Sequence, residues 1–71
     1  MNIVYRTIFV NGEAFNFYQV MSLQDVLNYL DFDTNSVVIE HNQEIIDNHK
    51  LNNIICNHQD RLEIITIVGG G

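Results

Sequence analysis

Proline and tryptophan are absent from this chain of 71 residues, and cysteine occurs once. Without proline there is no ring-fixed turn and no proline-rich linker, so reversals fall to asparagine, aspartate and glycine. The lone Cys56 cannot close an internal disulfide, which favours a reducing compartment. Positive charge is scarce: Arg6, Lys50 and Arg61 stand against nine acidic residues, a net charge of −6. Such a surface repels nucleic acid. It would steer a basic protein partner inward, although acidity also serves solubility. No apolar run approaches the roughly 20 residues of a membrane span. Met1 to Arg6 lacks the basic-then-apolar pattern of a secretory signal. No nucleic-acid or membrane partner is expected. Glycine is scarce too, four in all, and three of them stand together as Gly69-Gly70-Gly71.

What is present is an ordinary globular composition, 46% apolar. The length suits one domain over residues 1–71. A domain of this size buries only about 60% of the surface its unfolded chain exposes, leaving little room for an enclosed pocket. An enzyme in its own right is therefore not expected. Asparagine and isoleucine are used where Asp, Ser, Val or Leu would serve, which hints at an AT-rich genome such as an organelle's. The cytoplasm or an organelle matrix, the plastid stroma included, is the expected setting.

Ile3 to Val10 is rich in β-formers, with apolar residues on both alternating sets, as a central strand has. Asn11-Gly12 is a strong two-residue hairpin signal, and Glu13 to Val20 reads as the return strand. Ser22-Leu23-Gln24-Asp25 has the form of a capping box, with Met21 and Val26 placed as a hydrophobic staple. Leu23, Val26, Leu27 and Leu30 then fall on one face of a helix from about Leu23 to Leu30 or Asp31. Val37 to Glu40 is a short strand, His41 to Glu44 a turn, and Ile45-Ile46 the return. Asp47 to Asn53 suits a 3₁₀ turn around Leu51. Ile54 to Cys56 is a short apolar piece, Asn57 to Asp60 a turn, and Leu62 to Val68 the last strand. The layout is α+β, one helix on one sheet.

The last strand runs into the three glycines. A bare glycine tail is thin, adopts almost any φ/ψ, and over three or four residues reaches roughly 10–13 Å. It suits a probe entering another protein's active site; a frayed end is the plain alternative. Within the strand, Leu62 and Ile64 share one face and should meet the helix. Glu63, Ile65 and Ile67 share the other, and if exposed they offer a partner an apolar docking patch leading to the tail. A cover from the N-terminal residues is the competing expectation.

Other chemistry is weakly supported. His41, His49 and His58 lack close ligand spacing and fall in expected turns, so no metal is expected. Cys56 reads as a small buried residue rather than a reactive thiol. Asp31, Asp33 and Asp47 read as helix-end and turn residues, since Asp31 to Asn35 lacks the glycine and distal Glu of an EF-hand loop. Asp25 with Glu63 or Glu40 could pose as an acid–base pair, but capping and solvation explain them better.

Taken together, Val10 to Glu13, Ser22 to Leu30, Val38 to Ile46 and Asp60 to Gly71 resemble the ubiquitin-like β-grasp sulfur carriers of the ThiS type, which serve thiamin thiazole formation. The resemblance runs from about Thr7 to Gly71. It implies a β-grasp with a mixed four- to five-stranded sheet, one main helix on one face, and a flexible tail at 68–71. It implies a cosubstrate protein that is not itself an enzyme and binds no cofactor. A ThiF-like adenylating enzyme would consume ATP to activate the Gly71 carboxylate. A persulfide sulfur donor would convert it to a thiocarboxylate, and a ThiG-like thiazole synthase would take the sulfur. Gly70 and Gly71 are the glycines such tails need; Gly69 is less critical. The chain departs from the family where Ile46-Asp47-Asn48 replaces the frequent Val-Pro-Arg and Gln59-Asp60 the frequent Gly-Asp. Met1 to Arg6 extends beyond the usual start. Alternatives remain open: the small subunit of molybdopterin synthase (usually a longer chain), a ubiquitin-like modifier that forms isopeptides, or a passive interaction module.

Overall fold

A computed structural model describes residues 5–67, and its architecture starts from the reversal at Asn11-Gly12. Both residues have positive φ, 51° and 84°. That is the requirement of a two-residue hairpin turn whose twist matches its strands. It joins β1 (Arg6–Val10) to β2 (Glu13–Phe17) in antiparallel register, Val10 opposite Glu13 and Arg6 opposite Phe17. The expected strand start at Ile3 and Val4 lies outside the described residues. The return strand stops at Phe17 rather than Val20, because Phe17 already faces the first residue of β1. Tyr18, Gln19 and Val20 are exposed, with the Tyr18 ring 5.2 Å from that of Tyr5.

The helix α1 (Leu23–Tyr29) begins as the capping box requires. The Ser22 hydroxyl accepts from the Asp25 N–H at 3.0 Å, and the Asp25 carboxylate accepts from the Ser22 N–H at 2.9 Å. Seven residues are too few to hold a helix alone, so packing sustains it: Leu23, Val26 and Leu27 are all buried. It ends in a Schellman arrangement. The Phe32 N–H donates to the Leu27 carbonyl and the Asp31 N–H to the Asn28 carbonyl, with Asp31 at φ 64° where glycine is usual.

Asp33 caps a 3₁₀ turn, Thr34–Ser36, that the sequence reading leaves as a break. β3 (Val37–His41) and β4 (Glu44–Ile46) form a second hairpin around Asn42-Gln43, again with positive φ at both positions, 51° and 73°. Asp47 caps the expected 3₁₀ turn, Asn48–Asn53, which buries Leu51. Ile54 to Cys56 then runs beside the start of α1. The Leu23 N–H donates to the Ile54 carbonyl, and the Cys56 N–H to the Met21 carbonyl.

The final strand, β5 (Arg61–Thr66), enters the middle of the sheet. The strand order is β2-β1-β5-β3-β4, with β1 and β5 parallel and the other neighbours antiparallel. This is the five-stranded mixed sheet with one main helix that a β-grasp has. Ile8, Phe17, Val37, Ile39, Ile46, Leu62 and Ile64 point from the sheet into one core with Leu23, Val26 and Leu27. At roughly 25 cal/mol per Å² of apolar area, burial of each such side chain contributes about 1.5–3 kcal/mol.

Candidate functional site

β5 is the strand that leads to the glycines, and three sets of bonds fix it. On the β1 side the Asn11 N–H donates to the Leu62 carbonyl at 2.8 Å. The Asn11 side chain then continues the ladder where the main chain has turned away. Its Oδ1 accepts from the Ile64 N–H at 2.7 Å, and its Nδ2 donates to the Ile64 carbonyl at 3.3 Å. On the β3 side the pairing runs from His41–Leu62 to Val37–Thr66, and the Ile67 N–H adds a bond to the Ser36 carbonyl at 2.8 Å.

At the strand's start, Asp60 is a buried node. Its carboxylate lies 2.7 Å from the His41 Nε2 and accepts from the Asn57 N–H at 2.8 Å and the Asn42 Nδ2 at 3.0 Å. Burial pushes this carboxyl up. The hydrogen bonds from His41, Asn57 and Asn42, with the charge of His41 when protonated, outweigh that and hold it below its ordinary value. Asn42 also accepts from the Arg61 N–H at 2.8 Å, so the β3–β4 hairpin and the root of β5 are tied together. His41 therefore corrects the sequence reading: it is the last residue of β3, bonded to Asp60, and not a solvated turn residue. His58 accepts from the Thr7 N–H at 3.0 Å, and His49 sits exposed in the second 3₁₀ turn.

Period-two alternation divides β5 as expected. Leu62 and Ile64 are buried, while Ile65 and Ile67 are 50% and 56% exposed on the opposite face with Glu63. β1 runs parallel to β5, with Val10 level with Leu62. Tyr5 and Arg6 therefore lie towards the end of the sheet where β5 begins, away from Ile67. The Arg6 guanidinium is spent on the Cys56 carbonyl at 2.7 Å.

The register adds three residues to this face that sequence reasoning missed. Val38 stands opposite Ile65, Glu40 opposite Glu63, and Ile45 opposite Glu40 on the next strand. Which residues become neighbours across β4, β3 and β5 depends on pairing register, and no local pattern encodes it. Asp25 is in the helix cap, so it forms no acid–base pair with Glu40 or Glu63. Gly69, Gly70 and Gly71, and the tail expected over 68–71, lie outside the described residues.

Cys56 is fully buried, and burial first, then the nearby Asp60 charge, pushes its thiol up to about 12 against a smaller opposing pull from Arg6. A thiol so protonated is a poor nucleophile. A groove of about 380 Å³ between β2 and α1 is walled by Phe15, Phe17, Met21 and Tyr29 and is lined by no carboxylate, histidine or cysteine. Among the described residues no three His, Cys, Asp or Glu side chains are grouped as metal ligands, and no helix is long and apolar enough to cross a membrane.

Gln59 has φ 71°, held by its N–H bond to the Thr7 carbonyl. Glycine adopts such a φ without strain, so Gln59, where the resembled family often has glycine, carries a backbone cost here. Asp47, where that family often has proline, keeps φ −65° and caps the following turn through its side chain.

The ThiS family profile matches residues 5–71. The protein ycf40 of Porphyra purpurea is 46% identical over 65 residues, 92% of each chain. A thiazole synthase of Paramagnetospirillum magneticum is 36% identical over 62 residues, which are 87% of this chain and 19% of that protein. The fold matches the crystal structure of the thiamine biosynthesis protein ThiS from Geobacter metallireducens with a TM-score of 0.79 at 20% identity, over 92% of this chain and 99% of that one. The solution structure of a Geobacter metallireducens thiamine biosynthesis protein matches with a TM-score of 0.75. Through that profile and that fold, the chain belongs to the ThiS family.

Proposed function

We propose that this protein is a sulfur carrier of thiamin biosynthesis, and that its reacting group is the Gly71 carboxylate. The observation that carries the reading is the family match, which runs through Gly71. Among the described residues no competing centre stands out: the one thiol is buried and protonated, and the histidines are exposed or bonded. An α-carboxyl has a reference pKa of about 3.3–3.7 and is ionised at neutral pH. It resists attack at carbon but is a competent nucleophile. Its oxygen attacks the α-phosphorus of ATP on a ThiF-like enzyme, pyrophosphate leaves, and an acyl-adenylate forms. The outer sulfur of a donor persulfide displaces AMP, giving an acyl disulfide. A second thiol then forms a disulfide with the donor cysteine and releases the thiocarboxylate. A thiazole synthase of the ThiG type takes that sulfur. The segment of the Paramagnetospirillum thiazole synthase that resembles this chain supports the pairing of carrier and synthase.

The binding energy for these partners comes from the outer face of β5. Ile65, Ile67 and Glu63 meet the partner there, while Gly70 and Gly71 pass into its active site because a Cβ would clash or restrict φ. The similarity to ycf40 of Porphyra purpurea and Pyropia yezoensis, carried in plastid genomes, supports the plastid stroma as the setting.

The test is intact mass after incubation with a ThiF-like enzyme, ATP and a persulfide donor. Replacement of one terminal oxygen by sulfur is the expected result. An unchanged mass with an enzyme active on its own carrier overturns the reading.

A further inference from the structure

The outer face carries two carboxylates where the fold has no use for them. Glu40 and Glu63 are direct partners across β3 and β5, the two strands at the middle of the apolar patch. The bonds from the Asn42 N–H to the Arg61 carbonyl and from the Ile67 N–H to the Ser36 carbonyl set the phase of this ladder. They make Glu40–Glu63 a hydrogen-bonded pair, with Cα atoms about 5.5 Å apart and side chains on the same side. Like charges so placed destabilise a sheet.

Nothing described neutralises them. The Arg61 guanidinium, two residues before Glu63 on the same face, lies 5.1 Å from the Phe9 ring centroid on the β1 side, away from Glu40. Among the described residues the one ion pair is His41–Asp60, on the other face of the sheet. Ile45, Val38 and Ile65 border the pair, and the exposed Ile67 lies two residues beyond Ile65. Contact at these apolar side chains would strip water from the carboxylates, which raises the need for a counter-charge and the strength of one that is supplied.

We propose that Glu40 and Glu63 together receive one cationic side chain, a guanidinium or ammonium, from the protein that docks on this face, and that they select basic partners. The proposal rests on the reading of this face as the carrier's docking surface. The apolar residues supply affinity that tolerates salt. The carboxylate pair supplies charge complementarity, which favours a basic counterpart and rejects an acidic one, a second copy of this face included.

The experiment titrates the full-length chain with a purified ThiF-like adenylating enzyme at low and high salt, using the wild type, Glu40→Gln, Glu63→Gln and the double variant. The wild type binds more weakly at high salt, and each single variant loses roughly threefold to tenfold in affinity at low salt. The loss in the double variant departs from the product of the two single losses, because one cation is shared. Thermal midpoints of the variants stay level or rise, which separates lost recognition from lost folding. Unchanged affinity in either single variant, losses that multiply in the double variant, or no binding by the wild type overturns the proposal. So does saturable binding of magnesium chloride alone at the pair, which assigns it to a divalent cation. Gain of sulfur by the wild type with affinity indifferent to both glutamates rejects this proposal and leaves the carrier reading standing. Glutamate-dependent binding without any gain of sulfur does the reverse.

Discussion

Gln59 and Asp60 occupy the turn that delivers the chain into β5, and each makes a separate prediction. Gln59 holds φ 71°, a left-handed conformation that strains a residue with a Cβ. Gln59→Gly removes that strain but loosens the unfolded chain. The net expectation is a gain of about 0.5–1 kcal/mol, read as a higher midpoint in urea. Asp60 has a folded pKa below its ordinary value of 3.8. As pH falls, the unfolded chain therefore takes up the proton first. The contribution of Asp60 is complete above the unfolded pKa and is lost as pH falls through the folded one. Asp60→Asn should cost about 1–3 kcal/mol at neutral pH, since the Asn57 N–H and Asn42 Nδ2 lose a charged acceptor. Denaturant titration between neutral pH and the acid limb should show the gap between variant and wild type closing below pH 3.8. A gap that stays constant would remove Asp60 from the pH response.

Among the elements, β5 has an inner set of buried residues and an outer set of exposed ones. Leu62→Ala opens a cavity in the core and should cost about 2–5 kcal/mol. Ile65→Ser with Ile67→Ser touches only exposed side chains and should change stability by about 0.5 kcal/mol or less per site, while weakening partner binding. Thermal melts and a binding isotherm on the same samples check both halves. The elements themselves were largely legible because their signals are local. Asn11-Gly12, the Ser22–Asp25 box and the alternation of Leu62 to Ile67 each state their geometry within a few residues. Other features were hidden. The stop at Phe17 depends on where its partner strand begins. The second turn uses Asn42-Gln43 without glycine, and the Schellman end of α1 uses Asp31 in its place. His41 looked like a turn residue because nothing in its neighbours announces Asp60, nineteen positions away. The candidate face was half legible for the same reason. Ile65, Ile67 and Glu63 follow from one strand's alternation, whereas Val38, Glu40 and Ile45 join them only through register.

The whole molecule is an acidic β-grasp whose only positive residues are Arg6, Lys50 and Arg61. The first is bonded to the Cys56 carbonyl and the last lies over Phe9, and among the described residues no ion pair engages the carboxylates on the outer face of β5 and β3. Such a molecule suits recognition by other proteins, with the chemistry proposed at Gly71. The proposed division of labour gives Gly70 and Gly71 the transfer and the outer face of β5 the binding. The direct measurement compares a chain lacking Gly70-Gly71 with the Ile65→Ser, Ile67→Ser chain, recording affinity for a ThiF-like enzyme and thiocarboxylate formation for each. The truncated chain is expected to bind with nearly wild-type affinity and gain no sulfur, while the double-serine chain binds weakly and gains sulfur only at high concentration. A truncated chain that loses as much affinity as the double-serine chain would contradict it.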